Sequence, residues 1–475
     1  MHTKYDLAIL GGGAGGYSAS IEAAKLGKKV VCIDAEERIG GTYVNHGCIP
    51  SKVFLNVTSH YYRSTHHNIR NGIQYNNVTF SMHDMCHHKN DIVLGISKKI
   101  EDSFRKYGVD KITGIGSFID KNTISVTNGQ KVTAENIIIA TGSKSREMSN
   151  IKMNGSTIIS SKEILNIKTA PKKIAVLGGG VIGAEIAITF GRIGTEVIIL
   201  EHGNHILNNM DDDVVSIAQT QFKTIKNIKI FSNASITGIS KQQKISDVTN
   251  DNFLIIDYVS SDNHAQLTDV DILLVAVGRT PNVDTLELQN AQVQLDERGA
   301  IAVNGNMQTN VKNVYAIGDV VCGIMLAHKA AAEGRFVVSK IYDDKDYKIS
   351  YGAIPSVVYT QPEIASVGLS EKELKKQEIN YKVAKAYFKD NHRAILSSSN
   401  EGFIKILAGE DSKILGAAIV GQNAGELIGE IVLAMQNGIS IDNMSLLIHS
   451  YPCMNEIIEE VMRTFQSTQL NYPAI

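Results

Sequence analysis

The chain is short of cysteine, of net charge and of long apolar runs. Its five cysteines (Cys32, Cys48, Cys86, Cys322, Cys453) are an odd and scattered set in 475 residues. A small secreted scaffold is stapled by an even, clustered set, so that class is excluded. No apolar run approaches the ~20 residues that a membrane-spanning helix needs. The N-terminus runs into an apolar strand and then glycines, without the charged, apolar and cleavage regions of a signal peptide. Lys+Arg 47 against Asp+Glu 49 leaves a net charge of −2. With so small an imbalance, no global field draws in nucleic acid or anionic lipid. Low-complexity stretches and long flexible linkers are absent too. The expectation is a cytoplasmic protein with no nucleic-acid or membrane partner, long enough for several domains.

What is present is a repeat. Tyr5–Leu10 reads as a buried parallel strand, followed by Gly11-x-Gly13-x-x-Gly16, an Ala-rich helix to about Leu26, and a short apolar strand ending at Asp34. The same order recurs with strand Lys173–Leu177, then Gly178-x-Gly180-x-x-Gly183, a helix to about Ile193, and strand Glu196–Glu201. Each unit is a dinucleotide fingerprint. The first glycine permits the tight turn, the second lets a pyrophosphate approach the backbone, and the third lets helix pack on strand. The helix N-terminus offers N–H groups and a positive dipole end to phosphates. Asp34 and Glu201 each lie 18 positions beyond the third glycine, placed to accept hydrogen bonds from a ribose. A carboxylate at 201 repels a 2′-phosphate, so NAD(H) is expected over NADP(H) in the second unit; a protonated His202 would soften that preference.

Between about 55 and 105 the chain reads as polar and helical. From about 227 to 310 it is strand-rich. Beyond about 345 strands are expected near Ile354–Tyr359, Phe403–Leu407 and Leu415–Val420, then amphipathic helices near Gly425–Asn437 and Asn455–Thr464. His83, Cys86, His87 and His88 fit no closed zinc spacing. They fall on a helix expected to face solvent, so no metal is expected.

The run from Gly40 to Lys52, GGTYVNHGCIPSK, resembles the redox segment of flavoprotein pyridine nucleotide-disulfide oxidoreductases, and most of all that of dihydrolipoamide dehydrogenases. The resemblance extends over nearly the whole chain. Ile139-Ala140-Thr141-Gly142 and Val275-Ala276-Val277-Gly278-Arg279 resemble the segments where the chain crosses between lobes. Tyr315-Ala316-Ile317-Gly318-Asp319 resembles the second FAD segment, and Met325-Leu326-Ala327-His328 the helix start that faces the flavin. The resemblance implies an α/β fold with two Rossmann-like domains and a C-terminal α+β dimerisation domain. FAD binding falls to 1–145 and 271–345, NAD binding to 146–270, and dimerisation to 346–475. It implies FAD contacts from Gly11, Gly13, Gly16, Asp34, Thr42, Lys52, Thr141, Gly142, Asp319, Leu326, Ala327 and His328. NAD(H) contacts are implied from Gly178, Gly180, Gly183, Glu201, Gly278 and Arg279. It also implies a homodimer, Cys48 against the flavin, and a Lys52–Glu185 pair near flavin N5.

Two parts of the family's machine differ here. The first redox cysteine is replaced by Tyr43, and a phenol forms no disulfide. The C-terminal general-base histidine is replaced by Tyr451, although the supporting Glu456 is kept; an ordinary phenol, with a pKa of about 10, is a poor base at neutral pH. Asn391-His392-Arg393-Ala394 resembles a structural loop of the dimerisation domain. Three readings stay open. One is an NADH oxidoreductase whose small-molecule acceptor is not a disulfide. Another is a dihydrolipoamide dehydrogenase rescued by a thiol such as Cys453. The last is a retired FAD-binding partner of a 2-oxoacid dehydrogenase complex.

Overall fold

The computed structural model describes residues 4–66, 72–73, 76–245, 250–261, 263–343 and 348–467. They divide into two compact units: Met1–Val57, Thr79–Ala170 and Val275–Ile349 in the first, and Thr58–Val78, Pro171–Leu274 and Ser350–Ile475 in the second. No helix among the described residues is long and apolar enough to cross a membrane.

The first unit is built on a seven-stranded sheet. Lys4–Leu10 is central and pairs in parallel with Val30–Asp34 on one side and Lys131–Ile139 on the other. Val314–Ala316 joins the C-terminal end of Lys131–Ile139, also in parallel. Ala8, Leu10, Val31 and Ile33 enter one core cluster. Leu7, Ile9, Val30 and Cys32 enter another. From Leu7 to Leu10 the strand is buried on both faces, which is why that part is continuously apolar rather than alternating. Cys32 is fully buried, and burial pushes its thiol pKa up to about 12, so it is inert.

The polar helical stretch is two helices, Cys48–His66 and Met82–Tyr107. The break is set by Ser81, whose side chain accepts the Asp84 N–H, and Gly108 ends the second helix at φ +72°. Met82, Met85, Cys86, Lys89, Val93, Ser97, Ile100 and Phe104 form its buried stripe, at the spacing of an amphipathic helix. Cys86 is therefore not solvent-facing as the sequence reading expected. It is buried and its thiol donates to the Ile167 carbonyl at 3.1 Å, while His83, His87 and His88 point to solvent.

In the second unit Lys173–Leu177 pairs in parallel with Glu196–Leu200, which pairs in parallel with Ile228–Phe231. Ala234–Ile245, Asn250–Ser260 and Asn263–Val270 form an antiparallel meander. Residues from Ser356 onward form a five-stranded antiparallel sheet, in the order Ser356–Val358, Glu363–Gly368, Ile414–Gly421, Phe403–Ala408, Lys382–Tyr387. Helices Ala424–Asn437 and Glu456–Ser467 share its core. The strands Glu363–Gly368 and Lys382–Tyr387 were not identified from sequence; in Lys382–Tyr387 lysines and alanines dilute the strand-forming Val383 and Tyr387.

One charge is deeply buried in this unit. Lys405 is 1 % exposed, and its Nζ lies 2.7 Å from Asp211, 2.9 Å from Asp213 and 3.2 Å from Glu371. Burial opposes ionisation of Asp213, but hydrogen bonds from Lys385 and Lys405 outweigh it and hold its carboxyl below the usual range. A depressed folded pKa stabilises above the unfolded value, about 4, and that stability is lost as pH falls through the folded value. Asp213→Asn is expected to lower stability at neutral pH and to flatten the acid limb. Denaturant midpoints from neutral pH down to about pH 3 check it, and an unchanged acid limb would count against this role for the carboxylate.

Candidate functional site

The two glycine loops are geometric copies. Gly11 and Gly178 both adopt φ +102°, open only to glycine at low strain. A Cβ on Gly16 would lie 1.8 Å from the Gly11 carbonyl oxygen, and one on Gly183 would lie 2.0 Å from that of Gly178. Those glycines are required by packing. The middle ones are not. Gly13 and Gly180 have φ of −70° and −69°, which any residue adopts. A Cβ on Gly180 meets nothing within 4 Å, and one on Gly13 meets only Gly41 at 4.0 Å. Neither the backbone nor the protein interior needs glycine there, so the space is kept for something outside the chain. Both helices, Ala14–Lys25 and Val181–Arg192, begin without a side-chain cap. Their first N–H groups and dipole are thus directed at that space, as a pyrophosphate requires. The residues fit a bound dinucleotide at each loop.

The acids do more than the sequence indicated. Asp34 accepts from the backbone N–H of Gly12 at 2.5 Å and of Glu36 at 2.8 Å. Glu201 accepts from Gly179 and Gly203, both at 2.6 Å. Each carboxylate ties its own loop down, leaving its remaining lone pairs for a ribose. Burial pushes the Asp34 carboxyl up, opposed by its two backbone hydrogen bonds. Glu36, which sequence reasoning passed over, accepts from His46 at 2.6 Å and pairs with Lys162 at 3.4 Å. The His46 hydrogen bond, opposed by burial, lowers its carboxyl to about 2. His46 lies two residues before Cys48, so this pair anchors the redox segment to the end of the Asp34 strand.

In that segment Thr42 and Tyr43 lie in the short helix Gly41–Asn45, and Cys48 is the first residue of Cys48–His66. A helix start favours negative charge. Cys48 is exposed, and none of the five cysteines is in a disulfide. Tyr43 is half-buried and packs on the core around Ile39 and Val44. Burial first, and then the electrostatic effect of the neighbouring Cys48 thiol group, raises its pKa above that of an ordinary phenol, so it is a neutral phenol. Lys52 follows one turn after Cys48.

Burial lowers the pKa of the Arg279 guanidinium, and the neighbouring Asp319 carboxylate opposes that depression. Arg279 donates to the Ser143 hydroxyl at 2.7 Å, which donates to Asp319 at 2.6 Å. Thr141 and Gly142 are laced to Asn282, through the Thr141 hydroxyl at 2.8 Å and the Asn282 N–H at 2.9 Å. The Gly278 carbonyl accepts from Arg146. Beneath Asp319 lies an ion pair invisible in the motif. Lys329 and Glu333, 2 % and 1 % exposed, meet at 3.1 Å. Glu333 accepts the Gly318 N–H at 2.7 Å, and Lys329 donates to the Gly318 carbonyl at 3.1 Å. Their i,i+4 spacing in Ala327–Tyr342 was the available signal. That helix starts after Leu326 with no side-chain cap, so Ala327 and His328 lie in a turn whose N–H groups are not taken by a capping side chain.

In the second unit Glu185 is buried and accepts the Tyr359 N–H at 3.0 Å. The C-terminal segment departs from the sequence reading. Glu456 does not meet Tyr451 but accepts the Cys453 N–H at 2.9 Å. The hydroxyl of Tyr451, a residue 69 % exposed, instead meets Nδ1 of His392.

A family model described as "Pyridine nucleotide-disulphide oxidoreductase" matches residues 5–334, and its dimerisation domain matches 354–462. Dihydrolipoyl dehydrogenase, mitochondrial, of Dictyostelium discoideum is 37% identical over 462 residues, 96% of this chain and 93% of that protein. The Homo sapiens protein of that name is 37% identical over 464 residues, 96% of this chain and 89% of that protein. Among solved structures, the HOCl-induced flavoprotein disulfide reductase RclA from Escherichia coli superposes with TM-score 0.84 at 25% identity, covering 97% of this chain and 99% of that one. LpdA from Mycobacterium tuberculosis superposes with TM-score 0.86 at 24% identity, covering 98% and 99%, and shares the fold.

Proposed function

Because this chain belongs to the pyridine nucleotide-disulphide oxidoreductase family, we propose that it is an FAD-dependent NADH oxidoreductase whose acceptor is not a disulfide. The observation that carries this is the contrast between two complete nucleotide loops and a half-buried, neutral Tyr43 five positions before the exposed Cys48. FAD, when bound, supplies the two-electron relay between NADH and acceptor. The chain's own residues bind and orient. The Gly11 loop and Asp319 hold FAD, and the Gly178 loop holds NADH, with Glu201 disfavouring a 2′-phosphate. Arg279, Ser143 and Asp319 form a connected polar chain that fixes the ribityl side. Lys52 and Glu185 tune the flavin edge, and Cys48 is an electronic modulator rather than half of a disulfide. In this reading the domains run 1–145 with 271–345 for FAD, 146–270 for NAD and 346–475 for dimerisation, in a cytoplasmic homodimer whose thiols stay reduced.

The test is an anaerobic NADH titration of the yellow protein, followed by mixing with lipoamide or with a quinone. Bleaching by NADH and reoxidation by quinone alone is expected. Rapid reoxidation by lipoamide would overturn the proposal in favour of a thiol-rescued dihydrolipoamide dehydrogenase. Failure to bleach would leave a flavin-binding partner of a 2-oxoacid dehydrogenase complex. Gly183→Ala separates the loops: its Cβ, 2.0 Å from the Gly178 oxygen, is expected to abolish bleaching while FAD stays bound. Loss of FAD from that variant would reverse the assignment of the loops.

A further inference from the structure

Glu36 sits midway along a hydrogen-bonded chain that links the first glycine loop to the residues before Cys48, entirely within the first unit. One oxygen of Asp34 accepts the Gly12 N–H at 2.5 Å, and the other accepts the Glu36 N–H at 2.8 Å. The Glu36 carboxylate then reaches across to the redox segment. One of its oxygens lies 2.6 Å from Nε2 of His46, and the other accepts from the Asn45 side-chain amide at 3.2 Å. A carboxylate only accepts, so Nε2 of His46 carries the hydrogen. Nδ1 of His46 is buried and makes no hydrogen bond, so the bond to Glu36 is the one that holds the ring. Asn45 is 6 % exposed, and its amide also donates to the Arg38 carbonyl at 2.9 Å. A second strap lies beside this chain. The Gly40 N–H donates to the Gly12 carbonyl at 3.0 Å. Gly41, at φ +58°, packs so closely that a Cβ on it would lie 2.7 Å from the Cα of Gly13. The segment ahead of Cys48 is thereby seated on the loop whose middle glycine keeps space for a pyrophosphate.

We propose that Glu36 is a positioning residue that couples a nucleotide bound at the first glycine loop to the reactivity of the Cys48 thiol. This rests on the assignment of that loop to FAD made above, and not on the identity of the acceptor. A pyrophosphate on the loop and a ribose on Asp34 fix Gly12 and Asp34 together. Asp34 holds the Glu36 backbone, the Glu36 side chain holds Asn45 and His46, and Cys48 begins its helix two residues further on. Contiguous hydrogen-bonded and packed groups of this kind are what carries coupling between sites. Without nucleotide the loop loses that constraint, the segment loosens, and the exposed thiol meets reagents more readily. The links set the class of ligand, a ribonucleoside diphosphate or a dinucleotide that contains one. ADP meets that description and carries no flavin, so its effect on the thiol does not pass through an isoalloxazine ring.

The experiment follows alkylation of Cys48 by iodoacetamide, located by peptide mass, in the full chain loaded with FAD and, after FAD is removed, titrated with ADP. Saturating ADP is expected to slow alkylation of the wild type about tenfold, within the range of couplings between sites. The same occupancy is expected to leave the rate of Glu36→Ala unchanged. Loaded with FAD, that variant is expected to react about tenfold faster than the FAD-loaded wild type, the same coupling read from the other side. Glu36→Gln keeps an acceptor for His46 and is expected to fall between the two. Lys162→Met removes another partner of Glu36 but no link of the chain, and is expected to match the wild type. Cys32, fully buried, reports any general loss of fold and is expected to stay unalkylated. If it reacts in Glu36→Ala, the Glu36→Gln rate decides, a wild-type value overturning the proposal. No slowing by ADP, or equal slowing in wild type and Glu36→Ala, would also overturn it, the latter because ADP would then shield the thiol directly. So would equal rates of the two FAD-loaded proteins. A chain that binds neither FAD nor ADP would overturn the proposed function and this coupling together.

Discussion

The double variant Tyr43→Cys/Tyr451→His is expected to raise NADH-linked lipoamide reduction by a hundredfold or more, about the contribution of a general base alone. Both changes are needed because each repairs a different step. A cysteine at 43 supplies the thiol that attacks a substrate disulfide, and a histidine at 451 supplies a base that titrates near neutrality, as a phenol does not. Tyr43→Cys alone is expected to form a disulfide with Cys48, read as one extra electron pair taken up per flavin in a reductive titration. Thiol counts and lipoamide turnover measure the two effects separately. A disulfide that forms without any gain in turnover would place the block at position 451 or in the dimer, and no disulfide at all would mean the segment has lost the geometry a cystine needs. The packing of Tyr43 against the core cluster that includes Ile39 and Val44 implies a modest stability loss from the smaller side chain.

Lys329→Met is expected to destabilise the chain by about 3–5 kcal/mol, the usual cost of removing one member of a buried ion pair. The carboxylate of Glu333 is 1 % exposed, and without Lys329 it would lose a cation at 3.1 Å. The damage reaches the flavin site because the pair grips both ends of the Gly318 peptide, which sets the position of Asp319. Urea unfolding followed by flavin fluorescence would read stability and cofactor retention together. Lys329→Met/Glu333→Leu is expected to recover most of the stability, since removing both charges removes the uncompensated one. Recovery of stability without recovery of FAD affinity would show that the pair serves the site rather than the fold. A loss below about 1 kcal/mol in the single variant, the range of an exposed pair, would refute the buried-pair role.

Both effects concern groups whose importance depends on where the chain places them, and that is where sequence and structure divide. The residue order alone determined the paired strand–loop–helix–strand units, because each of Gly11, Gly16, Gly178 and Gly183 answers a local demand of backbone or packing that no other residue meets. The apolar runs Leu7–Leu10 and Ile174–Leu177 within the strands Lys4–Leu10 and Lys173–Leu177 were equally legible, since the part of a strand buried on both faces must be apolar. That position 43 can take part in no disulfide was a matter of residue chemistry, since a phenol has no thiol. Contacts between residues far apart in sequence were not legible. Cys86 was expected to face solvent from its histidine neighbours, and helical periodicity turned it inward against Ile167. Glu456 was expected to serve residue 451, and instead it holds the Cys453 peptide. His392 looked like part of a structural loop until the fold brought it across 59 positions to Tyr451. Local sequence fixes what backbone geometry and burial demand of each residue. Only tertiary packing decides which polar groups meet, because a hydrogen bond depends on a separation of a few ångströms that sequence distance does not encode.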